Sequence, residues 1–429
     1  MMHRISNGQR AAVTLVEVLF AIGVVMIGLL GLLSVMPLAG RRAQDAVSLS
    51  VGAEMADSIT KDVLIRKWLG NGDLLDMEGT PNVIEYDFAA NRLQTVGGTL
   101  LRGICIDPLY CAVQSGSGTT FNGYDNRVFP YYIADHDPLL NPADADTTWD
   151  PPGTFPWPAG TAGPAPRLRR VGLRQSGTVT PISAELARTI IESANDLIVS
   201  QPNDTTLPAR LTGLNSGETE YGKRIPSGEY SWFATLTPSQ NERFASLSIV
   251  VLRNRVVDID FPTAALTPPI IPEMNGMSER VAMVTYASGF SGGAGGTVRL
   301  TSSITTSSDV VPNDWIMLSR RVSATEEVHR WYRVVAIHKD PEELYAYSNT
   351  ELENGGAALP APNTSYSWTD TDRRGEKLWR RQIMLDGPDW EFGYTSDGYA
   401  DSNFFDNTFA TMVQGVVSVS EQLIPWTDL

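Results

Sequence analysis

The amino-acid sequence predicts an α+β protein: a long N-terminal α-helix that starts in a membrane and continues beyond it, packed on an antiparallel β-sheet domain, with a second β-rich C-terminal domain. Three observations predict this. The first is a nearly unbroken apolar run, Val18–Ala39. The second is its polar continuation, 41–68, where apolar residues recur at helical spacing. The third is a remainder rich in glycine (37) and proline (27), written as short alternating or apolar runs between turn residues. At 429 residues the chain has length for two or three domains and a sizeable core. A charged share of 19% beside a hydrophobic share of 42% excludes a disordered or fibrous chain. A formal net charge of −16 excludes a general nucleic-acid surface, because phosphate neutralisation takes clustered Lys and Arg. The two cysteines, Cys105 and Cys111, are too few for a disulfide scaffold or a Cys-based zinc site.

Taken in order, residues 1–12 are short and polar, with Arg4 and Arg10 as their charged side chains. The apolar run that follows spans about 33 Å as a helix, enough to cross a bilayer core and contact membrane lipid. A secretory signal has a shorter apolar region and a small-x-small cleavage site, whereas a cut after Ala39 would place Pro37 at a small-residue position. Leu38-Ala39-Gly40 is followed by Arg41, not by the cysteine of a lipoprotein signal. Glu17 stands at the start of the run. A carboxylate at membrane depth costs several kcal/mol without a partner, so Glu17 either snorkels to the interface or pairs.

The stretch Ala11-Ala12-Val13-Thr14-Leu15-Val16-Glu17-Val18-Leu19-Phe20-Ala21-Ile22 resembles the leader junction of type IV prepilins and type II secretion pseudopilins. In that family a basic leader is cut before a hydrophobic residue, and the fifth residue after the cut is glutamate. The resemblance implies cleavage between Ala12 and Val13 by a prepilin peptidase, N-methylation of Val13, and Glu17 as the assembly glutamate. It further implies that the Val13 ammonium of one subunit pairs with Glu17 of a neighbour. Ala12 replaces the usual glycine, Val13 the usual phenylalanine, and the helix proline is Pro37 where the family often has one near Ser34. Gly23, Gly28 and Gly31 offer close helix approach or are ordinary membrane-helix composition. Implied partners are other pilins or pseudopilins and an inner-membrane assembly platform. The implied location is the inner membrane, single-pass, with the C-terminal part in the periplasm or on the cell surface.

Beyond Arg41, Val47, Val51, Met55, Ile59 and Val63 recur every four residues, so one helix is expected over 13–69, ended by Gly70-Asn71-Gly72-Asp73. Glu229–Leu236 and Phe244–Leu252 flank a turn and predict a hairpin with a buried face. Ser183–Asn195 predicts a second helix, capped by Ser183 with Glu185 in its first turn. The stretch 149–166 is too rich in Pro and Gly for regular structure, and 262–272 reads as a stiff linker. Further strands are expected at 280–286, 297–301, 315–322, 329–338 and 343–347, with one last strand over Thr411–Val419. The expected division is therefore a leader (1–12), a helix (13–69), a pilin-like domain (70–262) and a β-rich domain (263–429).

Several patterns bear on chemistry. Gly289-Phe290-Ser291-Gly292-Gly293 fits G-x-S-x-G, but a glycine-rich stretch and a strand pattern follow it where a nucleophile elbow needs a helix. His329 and His338 have no neighbouring ligand residue and read as surface or sheet-edge side chains. The acidic stretch holding Asp397, Asp401, Asn403 and Asp406 supplies hard oxygen ligands, and some members of the resembled family hold calcium in such a loop. A solvated loop is the other reading, since the spacing is not that of an EF-hand. An exported location and the short loop between them favour a disulfide of Cys105 and Cys111, and two buried thiols are the other reading. The sequence thus predicts a non-enzymatic minor pilin or pseudopilin without a required cofactor. The contrasting reading is an anchored carbohydrate-binding or hydrolytic domain with a binding face built from Trp315, Trp331, Trp368, Trp379 and Trp390.

Overall fold

The computed structural model describes residues 15–66, 72–76, 82–87, 92–98, 101–114, 120–121, 124–125, 127–131, 166–175, 177–192, 197–199, 224–226, 229–239, 243–257, 279–302, 309–321, 327–344, 378–392 and 408–426. The chain divides into two compact units, Met1–Val51 and Gly52–Leu429. It is an α+β protein, with an N-terminal apolar helix and a part dominated by β-sheet.

Helix α1 (Leu15–Arg66) runs through Pro37 without ending. Within the second unit its buried positions are Gly52, Met55, Ala56, Thr60 and Val63, while Ala53, Glu54, Asp57 and Ser58 are exposed. That stripe advances at 3.6 residues per turn, so the strict four-residue series drifts off the buried face and Val47 is exposed. Small residues at its centre let the helix lie close to the sheet. A methyl group on Gly52 would stand 2.8 Å from Val417 Cγ2 and 3.1 Å from Ser418 Cβ. The buried Thr60 hydroxyl is satisfied inside the helix by donating to the Ala56 carbonyl at 2.6 Å.

The chain then builds β1 (Leu74–Asp76), β2 (Asn82–Asp87), β3 (Arg92–Thr95), β4 (Ile104–Ile106) and a short helix α2 (Pro108–Gln114). A two-stranded ribbon, β5 (Thr120–Phe121) with β6 (Tyr124–Asp125), precedes β7 (Val128–Phe129) and β8 (Leu168–Leu173). Helix α3 (Ala184–Ile191) follows, capped as its sequence predicts: Ser183 Oγ accepts from the Leu186 N–H at 3.3 Å. A second ribbon, β9 (Leu197–Val199) with β10 (Arg224–Pro226), leads to the long strands β11 (Tyr230–Pro238) and β12 (Phe244–Arg253). These two pair in unbroken register from Tyr230↔Arg253 to Pro238↔Ala245, which is the expected hairpin.

Among the described residues the main sheet has nine strands, in the order β20-β12-β11-β4-β8-β1-β2-β3, with β7 also on β8 and with β20 (Val416–Pro425) at one edge. It is not purely antiparallel as expected: β4 and β8 run parallel, Ile104 opposite Arg169. Such a pair needs a long crossover, and α2 lies within the chain that makes it. Both faces of β11 and β12 are buried, hence the nearly continuous apolar runs of these strands. On one face Ser418 and Val251 pair beneath Gly52, and Trp232 Nε1 donates to the Ile190 carbonyl at the end of α3.

The described strands between Glu279 and Val413 make a second sheet within the same unit. Strands β13 (Glu279–Gly289), β14 (Gly296–Ser302), β15 (Trp315–Arg321), β16 (Glu327–Ile337), β17 (Glu342–Leu344), β18 (Leu378–Asp386) and β19 (Thr408–Val413) form one sheet. Its order is β14-β13-β19-β15-β16-β18, and a further β14–β18 pairing joins the two ends, so six antiparallel strands close into a barrel. Alternate residues of every wall strand point inward: Ala282 and Val284, Val298 and Leu300, Ile316 and Leu318, Tyr332 and Val334, Ile383 and Leu385, and Ala410. Phe290, Trp390 and Phe392 fill the interior through ring contacts with one another and with Tyr332.

The outer face of β15, β16 and β19 packs on the main sheet. Met317, Trp331 and Val413 meet Phe233, Val250, Leu252 and Val416 in one core. The single last strand expected over Thr411–Val419 is two strands. Gln414 and Gly415 make a corner from β19 of the barrel into β20 of the main sheet. Gly415 has φ +84°, and a Cβ there would stand 2.6 Å from the Arg253 carbonyl oxygen, so only glycine fits. The barrel strands therefore lie in the chain between two paired strands of the main sheet, β12 and β20.

Candidate functional site

Leu15–Ser34, the proximal part of α1, has a mean hydropathy of 2.6, and none of it is buried. Among the described residues no other helix is long and apolar enough to cross a membrane. Leu15, Phe20, Ile27 and Leu32 each keep at least 70% of their surface open. Each such side chain gains about 1.5–3 kcal/mol on leaving water, and the stretch is long and apolar enough to be a membrane anchor or a signal sequence. Ser34, its polar end, donates to the Gly31 carbonyl at 2.8 Å and makes no demand on the surroundings. A Cβ added to Gly23, Gly28 or Gly31 would meet nothing, so these positions are open shallow surface.

Glu17 is the one ionisable residue of this stretch and lies exposed in the first turn of α1. The positive end of the helix dipole favours a carboxylate there. Chemically it is a hydrogen-bond acceptor at the edge of an apolar surface. Ala12 and Val13 lie outside the described residues, as do Asp397, Asp401, Asn403 and Asp406 of the expected calcium loop. Among the described residues no three His, Cys, Asp or Glu side chains gather as metal ligands.

Cys105 and Cys111 are free, buried thiols rather than a disulfide. Cys105 belongs to the core between sheet and barrel, whereas Cys111 sits in α2 with its Cβ against Gly172. Burial pushes both thiols above their ordinary range, which suppresses the nucleophilic thiolate. The G-x-S-x-G stretch is the β13–β14 loop, as expected, with no helix after it. The N–H groups of Gly292 and Gly293 hold the Asp389 carboxylate at 3.2 and 2.6 Å. Of the tryptophans in the contrasting reading, Trp315 is half-buried, and the side chain of Trp379 lies outside the described residues. Trp331 is buried and donates to Thr235 Oγ1 at 3.2 Å, and Trp390 lies in the barrel interior. Trp368 lies outside the described residues.

Two clusters were invisible in the sequence. His329 is not a surface side chain: its Nδ1 lies 2.8 Å from Ser319 Oγ, and its Nε2 lies 3.6 Å from the Glu327 carboxylate, which also takes Arg102 Nη1 at 2.6 Å. The trio has the membership of a hydrolytic triad, with Ser319 fully buried. The two-residue step from Glu327 to His329 places both on one strand face; Ser319 comes from pairing alone.

The second cluster is ionic. Arg170 of β8 and Arg255, just after β12, share the Asp107 carboxylate. Arg170 also donates to Glu279 at 2.5 Å, and the Tyr131 N–H reaches that carboxylate at 2.9 Å. Burial alone would raise the Asp107 carboxyl, but Arg255 and Arg170 together hold it below its ordinary value. The Arg170 guanidinium lies 3.9 Å from the Tyr110 ring centre, a buried cation–π contact. The four charges cancel and tie the first residue of the barrel to the main sheet.

No protein-family model matches the chain, and no curated protein and no solved structure matches it.

Proposed function

We propose that this protein is a non-enzymatic minor pilin or pseudopilin subunit. It enters the membrane through α1, is cut between Ala12 and Val13, and assembles by pairing the new Val13 ammonium with Glu17 of a neighbour. The observation that carries the reading is Glu17 itself: one carboxylate in the first turn of an otherwise apolar, wholly unburied helix stretch, five residues past the junction. In an apolar bundle each charge of that pair is costly alone, so pairing selects one axial stagger among many. The bulk of sheet plus inserted barrel supports a place at a filament tip or in an initiating complex. On this reading the second unit lies outside the cytoplasm, and the partners are a prepilin peptidase, other pilins or pseudopilins and an inner-membrane assembly platform.

The test is Glu17→Gln, compared with wild type at equal membrane levels. The variant inserts and is cut at Val13, but its recovery with sheared filaments falls at least tenfold, because a stranded partner charge costs about 3–5 kcal/mol. Equal recovery of the two proteins would remove the assembly role from Glu17 and leave an anchored domain.

A further inference from the structure

At one end of the barrel a cleft of about 270 Å³ opens beside the 309–314 loop. Its volume lies just under the roughly 300–1,000 Å³ of sites for drug-sized ligands, so it suits something smaller. Its apolar lining includes Val310, Val311, Trp315 and Met412, and among the described residues Arg280, Asp309 and Asp314 are its charged groups. Arg280 donates to the Asp309 carboxylate at 2.8 Å, so these two neutralise each other. Asp314 accepts the Val311 N–H at 2.8 Å and is largely withdrawn from water. Arg381 of β18, the other charged group near it, is outside the lining and donates to the Val310 carbonyl at 2.8 Å. Burial pushes the Asp314 carboxyl up to about 6; the Val311 N–H and Arg381 oppose the rise, and Asp309 adds to it.

The lining therefore carries one cation and two carboxylates, with the second carboxylate desolvated beside apolar side chains. An anionic ligand would meet the Asp314 charge, while Arg280 is already paired with Asp309. A neutral polyol donates hydrogen bonds to the Asp314 carboxylate but leaves its negative charge unbalanced. We propose that the cleft binds a small organic monocation, its ammonium group against the Asp314 and Asp309 carboxylates and its short apolar body against Val310, Val311 and Met412. The ligand brings a second positive charge to a lining whose Arg280 is already paired with Asp309, and the apolar lining excludes the water that would screen it.

The probe is n-butylammonium, with n-butanol as its uncharged counterpart, titrated onto the full-length protein in micelles and followed by saturation-transfer NMR. Saturable binding of the amine and none of the alcohol is expected at about pH 8. At about pH 5 the affinity should fall about tenfold as Asp314 takes up its proton. Asp314→Asn keeps an acceptor for the Val311 N–H and should lose amine binding by about tenfold or more. Val311→Trp fills the lining from an exposed position, leaves both carboxylates in place, and should abolish binding by occlusion. Equal binding of butanol, undiminished binding to Asp314→Asn, or undiminished binding to Val311→Trp would each overturn the proposal.

Discussion

Glu279→Gln tests how the inserted barrel is held to the sheet. In the native protein two guanidiniums and two carboxylates share a space from which water is excluded, and Glu279 is only 1% exposed. Its carboxylate takes Arg170 at 2.5 Å and lies 3.8 Å from Arg255. With charge centres about 4 Å apart and an effective dielectric near 20, the Arg170 attraction alone is about 4 kcal/mol. Glutamine has nearly the same shape but leaves two cations against one carboxylate, and it turns a donor toward a guanidinium. Relief of the carboxylate's own desolvation offsets part of the loss, so the expected net destabilisation is about 3–5 kcal/mol. Urea unfolding of the full-length protein in micelles, followed by tryptophan fluorescence, measures it. The control is Lys61→Ala, which breaks the exposed Lys61–Asp57 pair and should cost less than about 1 kcal/mol. Adding Arg170→Met to Glu279→Gln restores neutrality, so the double variant should be at least about 1 kcal/mol more stable than the sum of the singles predicts. A Glu279→Gln loss below about 1 kcal/mol, or strict additivity, would refute the idea that this cluster acts as one charge-balanced unit.

Two further outcomes follow from the same structure. Asp314 has a folded-state pKa raised to about 6 from an ordinary 3.8, so its ionisation disfavours the fold. Its contribution is absent below about pH 4 and lowers stability as pH rises through 6. Asp314→Asn should therefore stabilise the protein by up to about 3 kcal/mol at pH 8 and by little at pH 4, as read by urea midpoints; equal effects at both pH values would contradict the sign. Gly415→Ala places a Cβ where the Arg253 carbonyl lies and forces alanine to a positive φ, so a loss of about 1–3 kcal/mol in thermal or urea unfolding is expected, and an unchanged midpoint would contradict the strand-switch geometry.

The sequence by itself determined the features that rest on local chemistry. Val18–Ala39 is a nearly unbroken apolar run, so a helix long and apolar enough to cross a membrane follows from composition alone. Ser183 caps α3, and the β11–β12 hairpin is legible because both strands and their turn are adjacent in the chain. What only the tertiary structure decided are the contacts between residues far apart in sequence. Barrel closure depends on β14 pairing with β18 across more than 70 residues, and alternation within either strand does not name its partner. The same holds for Asp107, Arg170, Arg255 and Glu279, each of which reads as an ordinary surface charge until β8 and β13 are brought together. His329 looked exposed because polar residues alternate along β16, yet that polar face is the one laid against the main sheet. Thr411–Val419 read as one strand because a single glycine does not announce a corner. The Arg253 carbonyl beside Gly415 makes it one, by leaving no room for a side chain where the chain passes from barrel to sheet.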